Sequence, residues 1–244
     1  MKRNTQKILL SLYPSGRVKL NNLKIVSPEL TDGGRRSLIH VLKARGLINS
    51  EKVLGVSSVG ITQHGIDAIE AEFPALLSKW DAWQDNWDCL VFVKSSKSDK
   101  QFRYLRSILV SEGAISITRG VYVSPISFSE RVVRECKEIY RDYILMFSVG
   151  IWKIASLRSL VIEKYGLIDI AESYSGISRD VSRLLETVDI KHIAMHRNTI
   201  DINLVFDRLI DVLSEDPGFC KHYFDQVPRV KNILSDLSSM VSGY

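Results

Sequence analysis

Cysteine is scarce, and the few present stand apart. Cys89, Cys136 and Cys220 are the three in 244 residues. Their spacing fits neither a zinc knuckle nor a disulfide framework, so they are expected as reduced, buried thiols. Long apolar runs are missing too: nothing approaches the roughly 18 residues of a membrane span. The ILLSLY run after Met1-Lys2-Arg3 is shorter than a signal-peptide core and lacks a small-residue cleavage site. A cytoplasmic protein with no membrane partner is therefore expected.

The signatures of common chemistry are also absent. KHIAMH spaces His192 and His196 on one helical face, with His222 as a distant third ligand, but Ile193 stands where a zinc protease needs glutamate. Ordinary histidines are the favoured reading. Cys136, in RECKEIY, has no neighbouring histidine to activate it and reads as packing. No catalytic residue, metal or cofactor is assigned, and the expectation is a protein that is not an enzyme.

What the sequence does hold is a composition of 45% hydrophobic and 25% charged residues, that of an ordinary globular chain. The length allows two or three small domains. The net charge of +5 is unevenly spread. Residues 1–46 carry ten Lys or Arg against Glu29 and Asp32, a net +8, which leaves the remainder at −3. Charge concentrated in one segment favours a polyanionic partner, and nucleic acid is the first to expect.

Within that segment, Gln6 to Tyr13 has Ile8, Leu9 and Leu12 on one helical face and is ended by Pro14. A short second helix fits Val18 to Lys24. In TDGGRRSLIHVLKARGLI, Thr31 is a candidate N-cap, Asp32 suits the helix dipole, Leu38, Ile39 and Leu42 form the apolar stripe, and Gly46 stops the helix. A strand pair, Leu47 to Asn49 and Gly55 to Ile61 with its tip at Ser50 to Lys52, would complete a winged helix-turn-helix. A further helix, Ile66 to Phe73, follows Thr62-Gln63-His64-Gly65. Arg35, Arg36, His40 and Lys43 fall largely away from the stripe, where Arg and Lys suit guanine edges and phosphates. With Thr31 and, on the wing, Lys52, Ser57 and Ser58, they are the candidate DNA-binding residues; singly, each is also a plausible solvated surface group. Gly33-Gly34 allows close approach of phosphate, although a role in the turn is favoured.

Trp80, Trp83 and Trp87 recur at helical spacing between residues 75 and 87. They would form an apolar seam, or less often a base-stacking platform. Beyond them the pattern runs strand (89–93), helix (99–111), strand (114–118), strand (120–123), helix (129–140), strand (143–149), the order of a ferredoxin-like βαββαβ domain. The fold class is thus α+β. The expected domains are 1–74, a helical linker 75–87, 88–152, and a mainly helical C-terminal domain 153–244.

TDGGRRSLIHVLKARGLI, VSSVGITQHG, WDCLVFV and EGAISITRGVYVSP, in that order, resemble the PaaX-like transcriptional repressors. That family joins a winged helix to a ferredoxin-like domain related to the small CRISPR-associated integration subunit. The resemblance spans residues 6–149 and implies a cytoplasmic, homodimeric regulator of transcription. The aromatic acyl-coenzyme A thioester that its best-known members sense does not carry over, because no ligand-binding residue matches; a small-molecule effector stays open. The CRISPR-associated relatives end their first strand in a metal-binding aspartate. Here the strand ends Phe92-Val93-Lys94, with Asp88 before it and Asp99 beyond it. That disfavours metal-dependent nuclease chemistry. A nucleic-acid-processing protein, or a module that binds RNA, remains the alternative to a repressor binding a palindromic operator.

In the C-terminal part, LRSLVIEKYG, SGISRDVSRLLETV and DINLVFDRLIDVLSEDPG read as helices. The last carries a stripe of Ile202, Val205, Phe206, Leu209, Ile210 and Leu213. A final helix fits Val230 to Met240, with SSMVSGY expected to fray.

Overall fold

The computed structural model describes residues 1–14, 16–53, 56–93, 100–151, 157–188 and 195–243. The chain opens with α1 (Arg3–Leu12), whose Ile8, Leu9, Leu10 and Leu12 are wholly buried. Where a second helix was expected there is a strand, β1 (Arg17–Lys19), and only then a 3₁₀ turn, Leu20–Lys24. Val18 faces inward between exposed Arg17 and Lys19, and all three pair with Lys19↔Ser58 through Arg17↔Gly60 on a strand some forty residues on. Three residues are too few for periodicity to separate strand from helix, so the distant partner decides.

α2 (Asp32–Ala44) forms as expected, with Thr31 Oγ1 accepting from Gly34 N at 3.1 Å and Gly46 leaving the helix at φ +68°. β2 (Ile48–Val53) and β3 (Val56–Ile61) follow. Ser50 to Lys52 thus extend the strand instead of forming the tip, and Lys52 pairs with Ser57, Glu51 with Ser58. The antiparallel sheet has the order β1-β3-β2. α3 (Gln63–Glu72) starts three residues earlier than expected because Thr62 caps it, accepting from Gly65 N. Gly65 is required there: a Cβ would sit 2.1 Å from the Leu47 carbonyl oxygen.

The expected helix carrying three tryptophans is absent. Short 3₁₀ turns at Pro74–Leu76 and Ser78–Ala82 precede β4 (Trp87–Phe92), which takes Trp87 into a strand. Trp80 packs edge-on against Phe219, while Trp83 packs against Trp87. Next come α4 (Lys100–Ser111), β5 (Ile115–Thr118), β6 (Val121–Ser124), α5 (Glu130–Glu138) and β7 (Ile144–Val149). Their sheet is antiparallel, in the order β5-β6-β4-β7. Leu90 and Phe92 of β4 and Tyr122 of β6 share a core with Leu105 of α4 and Val132 of α5, which places both helices on one sheet face.

The C-terminal part is α6 (Arg158–Tyr165), α7 (Leu167–Val188), α8 (Met195–Glu215), α9 (Cys220–Tyr223) and α10 (Val230–Gly243). The stripe expected on α8, from Ile202 to Leu213, is buried throughout. The end of α10 does not fray. Met240 and Val241 are buried, Asn22 Nδ2 donates to the Val241 carbonyl at 2.9 Å, and Ser238 Oγ donates to the Ser11 carbonyl at 2.8 Å.

These contacts join α10 and α8 to α1. Residues 1–81 and 160–244 accordingly form one compact unit, and residues 82–159 form the other. The helices beyond 160 share the unit of the N-terminal segment, although the expected boundaries at 74 and 153 set them apart. The architecture is α+β, with two antiparallel sheets and a helical C-terminal region. Among the described residues no helix is long and apolar enough to cross a membrane.

Candidate nucleic-acid interface

α2 has two faces. Ile39 and Leu42 are buried, Leu38 is half-buried, and Gly33, Arg36, Ser37, His40, Val41, Lys43 and Ala44 are exposed. At about 100° per residue, Gly33, Ser37, His40 and Ala44 run along the middle of the outer face. Arg36 and Lys43 then lie on one flank of it and Val41 on the other.

Arg35 was expected outward and is not. Its residue is 9% exposed, and its guanidinium is used inside the chain. Nε donates to Ser27 Oγ at 3.3 Å, Nη2 to the Ser27 and Leu30 carbonyls at 3.2 and 2.8 Å, and Nη1 to Asp32 Oδ1 at 2.7 Å. Arg35 completes the buried face of α2 and ties the preceding turn to it, so it is withdrawn as a DNA contact. Four of the five guanidinium N–H groups are committed to internal acceptors, and at 9% exposure the side chain presents no fork to a base edge.

The other candidates are outward. Arg36 is exposed, its Nε donating to the Asp32 carbonyl at 3.3 Å. Lys43 Nζ donates to Ser50 Oγ at 2.7 Å, which orients it toward β2. His40, Lys52 and Ser57 are exposed and Ser58 is half-buried beside Lys19, its partner on β1. Thr31 serves as the cap of α2.

The charge excess of the N-terminal segment is smaller on the surface than along the sequence. Arg3 pairs with Asp207 and Asp211, Lys7 with Asp207, Arg17 with Glu51 and Arg35 with Asp32. Lys7 is only 3% exposed and also donates to Asn203 Oδ1. Burial alone would raise the Asp207 carboxyl. The hydrogen bonds and charges of Lys7 and Arg3 outweigh it and hold the group below its ordinary value. Sequence reasoning missed the pairing of Arg3 and Lys7 because their acids lie on α8, about two hundred residues away.

What remains, besides Lys2 ahead of α1, is a set of cations without a carboxylate within 4.0 Å among the described residues: Lys19, Lys24, Arg36, Lys43, Arg45 and Lys52. They are carried by β1, the 3₁₀ turn, α2 with its C-terminal residue, and β2. Lys24, Asn21 and Arg36 also line an open recess of 500 Å³ beside the start of α2. Lys24 counts in the segment charge but is not a sequence candidate, since nothing local in the sequence marks it as sharing a recess with Arg36.

No protein-family model matches the chain, and no curated protein matches it. Among solved structures it is similar to the uncharacterized protein Rv0674 from Mycobacterium tuberculosis, at 14% identity and a TM-score of 0.46. That likeness covers 97% of this chain and 94% of the other. At that level it carries neither family nor activity.

The remaining candidate chemistry resolves in part. Asp88 accepts a hydrogen bond from Ser148 Oγ at 2.6 Å, while Lys94, Asp99 and His192 lie outside the described residues and nothing is described of the His196 side chain. The three thiols are unbridged and buried. Burial, with the nearby Glu135 charge, pushes the Cys136 thiol up to about 11, and burial with Asp216 pushes Cys220 to about 12. Cys89 is also raised, by burial first and Asp88 second. Thiols so placed are almost wholly protonated at neutral pH, which suits packing and not nucleophilic attack.

Proposed function

We propose that the chain is a sequence-specific regulator of transcription, a homodimeric repressor that lays α2 in the major groove of duplex DNA. One observation carries this reading: the outer face of α2 bears exposed Arg36, His40 and Lys43, and among the described residues no carboxylate lies within 4.0 Å of Lys19, Lys24, Arg36, Lys43, Arg45 or Lys52. A helix with such a face fits the major groove, and the flanking cations suit the phosphates on either side. The order β1-β3-β2 around α2 supports a winged helix-turn-helix, with Lys52 and Ser57 on the wing. The βαββαβ order with β5-β6-β4-β7 supports a ferredoxin-like second unit.

The homodimer belongs to the same reading. β7 is an edge strand without charge or proline, and its Leu145 and Phe147 are exposed, the kind of edge that pairs with another strand. A small-molecule effector is compatible with a cavity of 330 Å³ walled by Trp80, Tyr174 and Asp216 and rimmed by Lys221, Arg229 and Lys231. The reading assigns no catalytic step.

Fluorescence anisotropy with labelled duplex DNA across a salt series tests it. Binding should weaken linearly on logarithmic axes, and Arg36→Ala or Lys43→Ala should each lower the slope by about one counterion. Structured RNA that competes better than duplex DNA would refute the reading in favour of an RNA-binding module.

A further inference from the structure

Val41 stands out on the outer face of α2. It is 45% exposed, although Ile39 and Leu42 beside it are buried at 6% and 1%. A β-branched side chain on the wet face of a helix gains nothing from burial and has lower helix propensity than Ala or Lys. Ala44, one turn on toward the middle of the outer face, is exposed as well, so Val41 and Ala44 place a short apolar strip opposite the Arg36 and Lys43 flank, with Arg45 at the helix end beyond it. The surrounding cations commit the occupant of the face to a polyanion, and an α-helix, about 10–12 Å across with its side chains, matches the roughly 12 Å width of a major groove. The apolar feature that such a groove presents is the C5-methyl group of thymine; guanine, cytosine and adenine offer polar edges.

Resting on the DNA-binding reading, we infer that Val41 is a specificity-determining residue that reads a thymine methyl group, so that the preferred site carries a thymine at a fixed position in each half-site. Arg36 supplies cationic contacts on the opposite flank. The contact involves methyl against methyl and no charge, so it sets sequence preference while leaving the salt dependence to the cations.

The test enriches duplexes from a random library with the full chain, then replaces each thymine of the enriched site by deoxyuridine, which removes the methyl group alone. The wild type should lose about fourfold in affinity at one thymine per half-site, the scale of one buried methyl group. Val41→Ala should bind the enriched site more weakly and show no further loss at that position. Val41→Ile, which keeps the branched apolar surface, should retain the discrimination. The salt slope should be the same for all three proteins. The inference is overturned if the wild type tolerates deoxyuridine everywhere, or if Val41→Ala discriminates as the wild type does. Failure of the wild type to enrich any duplex would instead overturn the DNA-binding reading itself, and the inference with it.

Discussion

Replacing Arg35 by alanine removes the donors to the Ser27 carbonyl and Ser27 Oγ in a buried setting, to the partly buried Leu30 carbonyl, and one contact to Asp32. Asp32 is 84% exposed, so that ion pair contributes little. The carbonyls matter more. A charged hydrogen bond to a buried acceptor contributes roughly 1.5 to 3 kcal/mol, and an acceptor left unpaired is costly. Because the contacts share one guanidinium they do not add in full, and about 3 kcal/mol is the expected loss. Urea unfolding followed by α2 amide hydrogen exchange would show it, since a chain with two compact units need not unfold in one step. Arg35→Met, which keeps most of the aliphatic stem, should recover only the packing share. The DNA effect should be distinctive: affinity falls as α2 loses its fixed start, yet the salt slope stays unchanged because no phosphate contact is lost. Stability within about 0.5 kcal/mol of wild type, or a slope lowered by about one, would refute the placement of Arg35.

Three further outcomes are expected. The lowered Asp207 carboxyl contributes stability that is present above its unfolded value, near the ordinary 3.8, and is lost as pH falls through the folded value; Asp207→Asn should therefore reduce the acid-side loss of thermal stability. Gly65→Ala should destabilise by about 2 to 3 kcal/mol in urea titration, because its Cβ meets the Leu47 carbonyl, itself the acceptor for Thr62 N, and neither can move freely. Native protein at pH 8 should react with a thiol reagent slowly and all three cysteines should react rapidly in denaturant; prompt reaction of Cys136 or Cys220 in the native state would contradict their burial.

The elements most legible in the sequence are those whose signals are local. Thr31 accepts a hydrogen bond as the N-cap its position predicts, and the apolar stripe of α8 is buried as its spacing predicts. The run from β4 to β7 follows the expected order, with ends shifted by one or two residues. Two misreadings share one cause: β1 is a strand because β3 pairs with it, and the end of α10 is held by Asn22 and Ser11, partners far away in sequence. The tryptophan helix fails locally, because the chain there breaks into short turns and a strand.

The candidate site divides in the same way. Sequence alone determined that α2 is a capped amphipathic helix in a basic segment, since capping, periodicity and composition depend on residues a few positions apart. Only the tertiary structure decided which charges reach the surface. Arg35 turns inward to the Ser27 and Leu30 carbonyls, Lys7 and Arg3 are claimed by Asp207 on α8, and Lys19 and Lys24 remain exposed, Lys24 in a recess it shares with Arg36. Formal charge belongs to a residue, whereas the field a partner meets depends on desolvation and on the counter-charges that folding brings close.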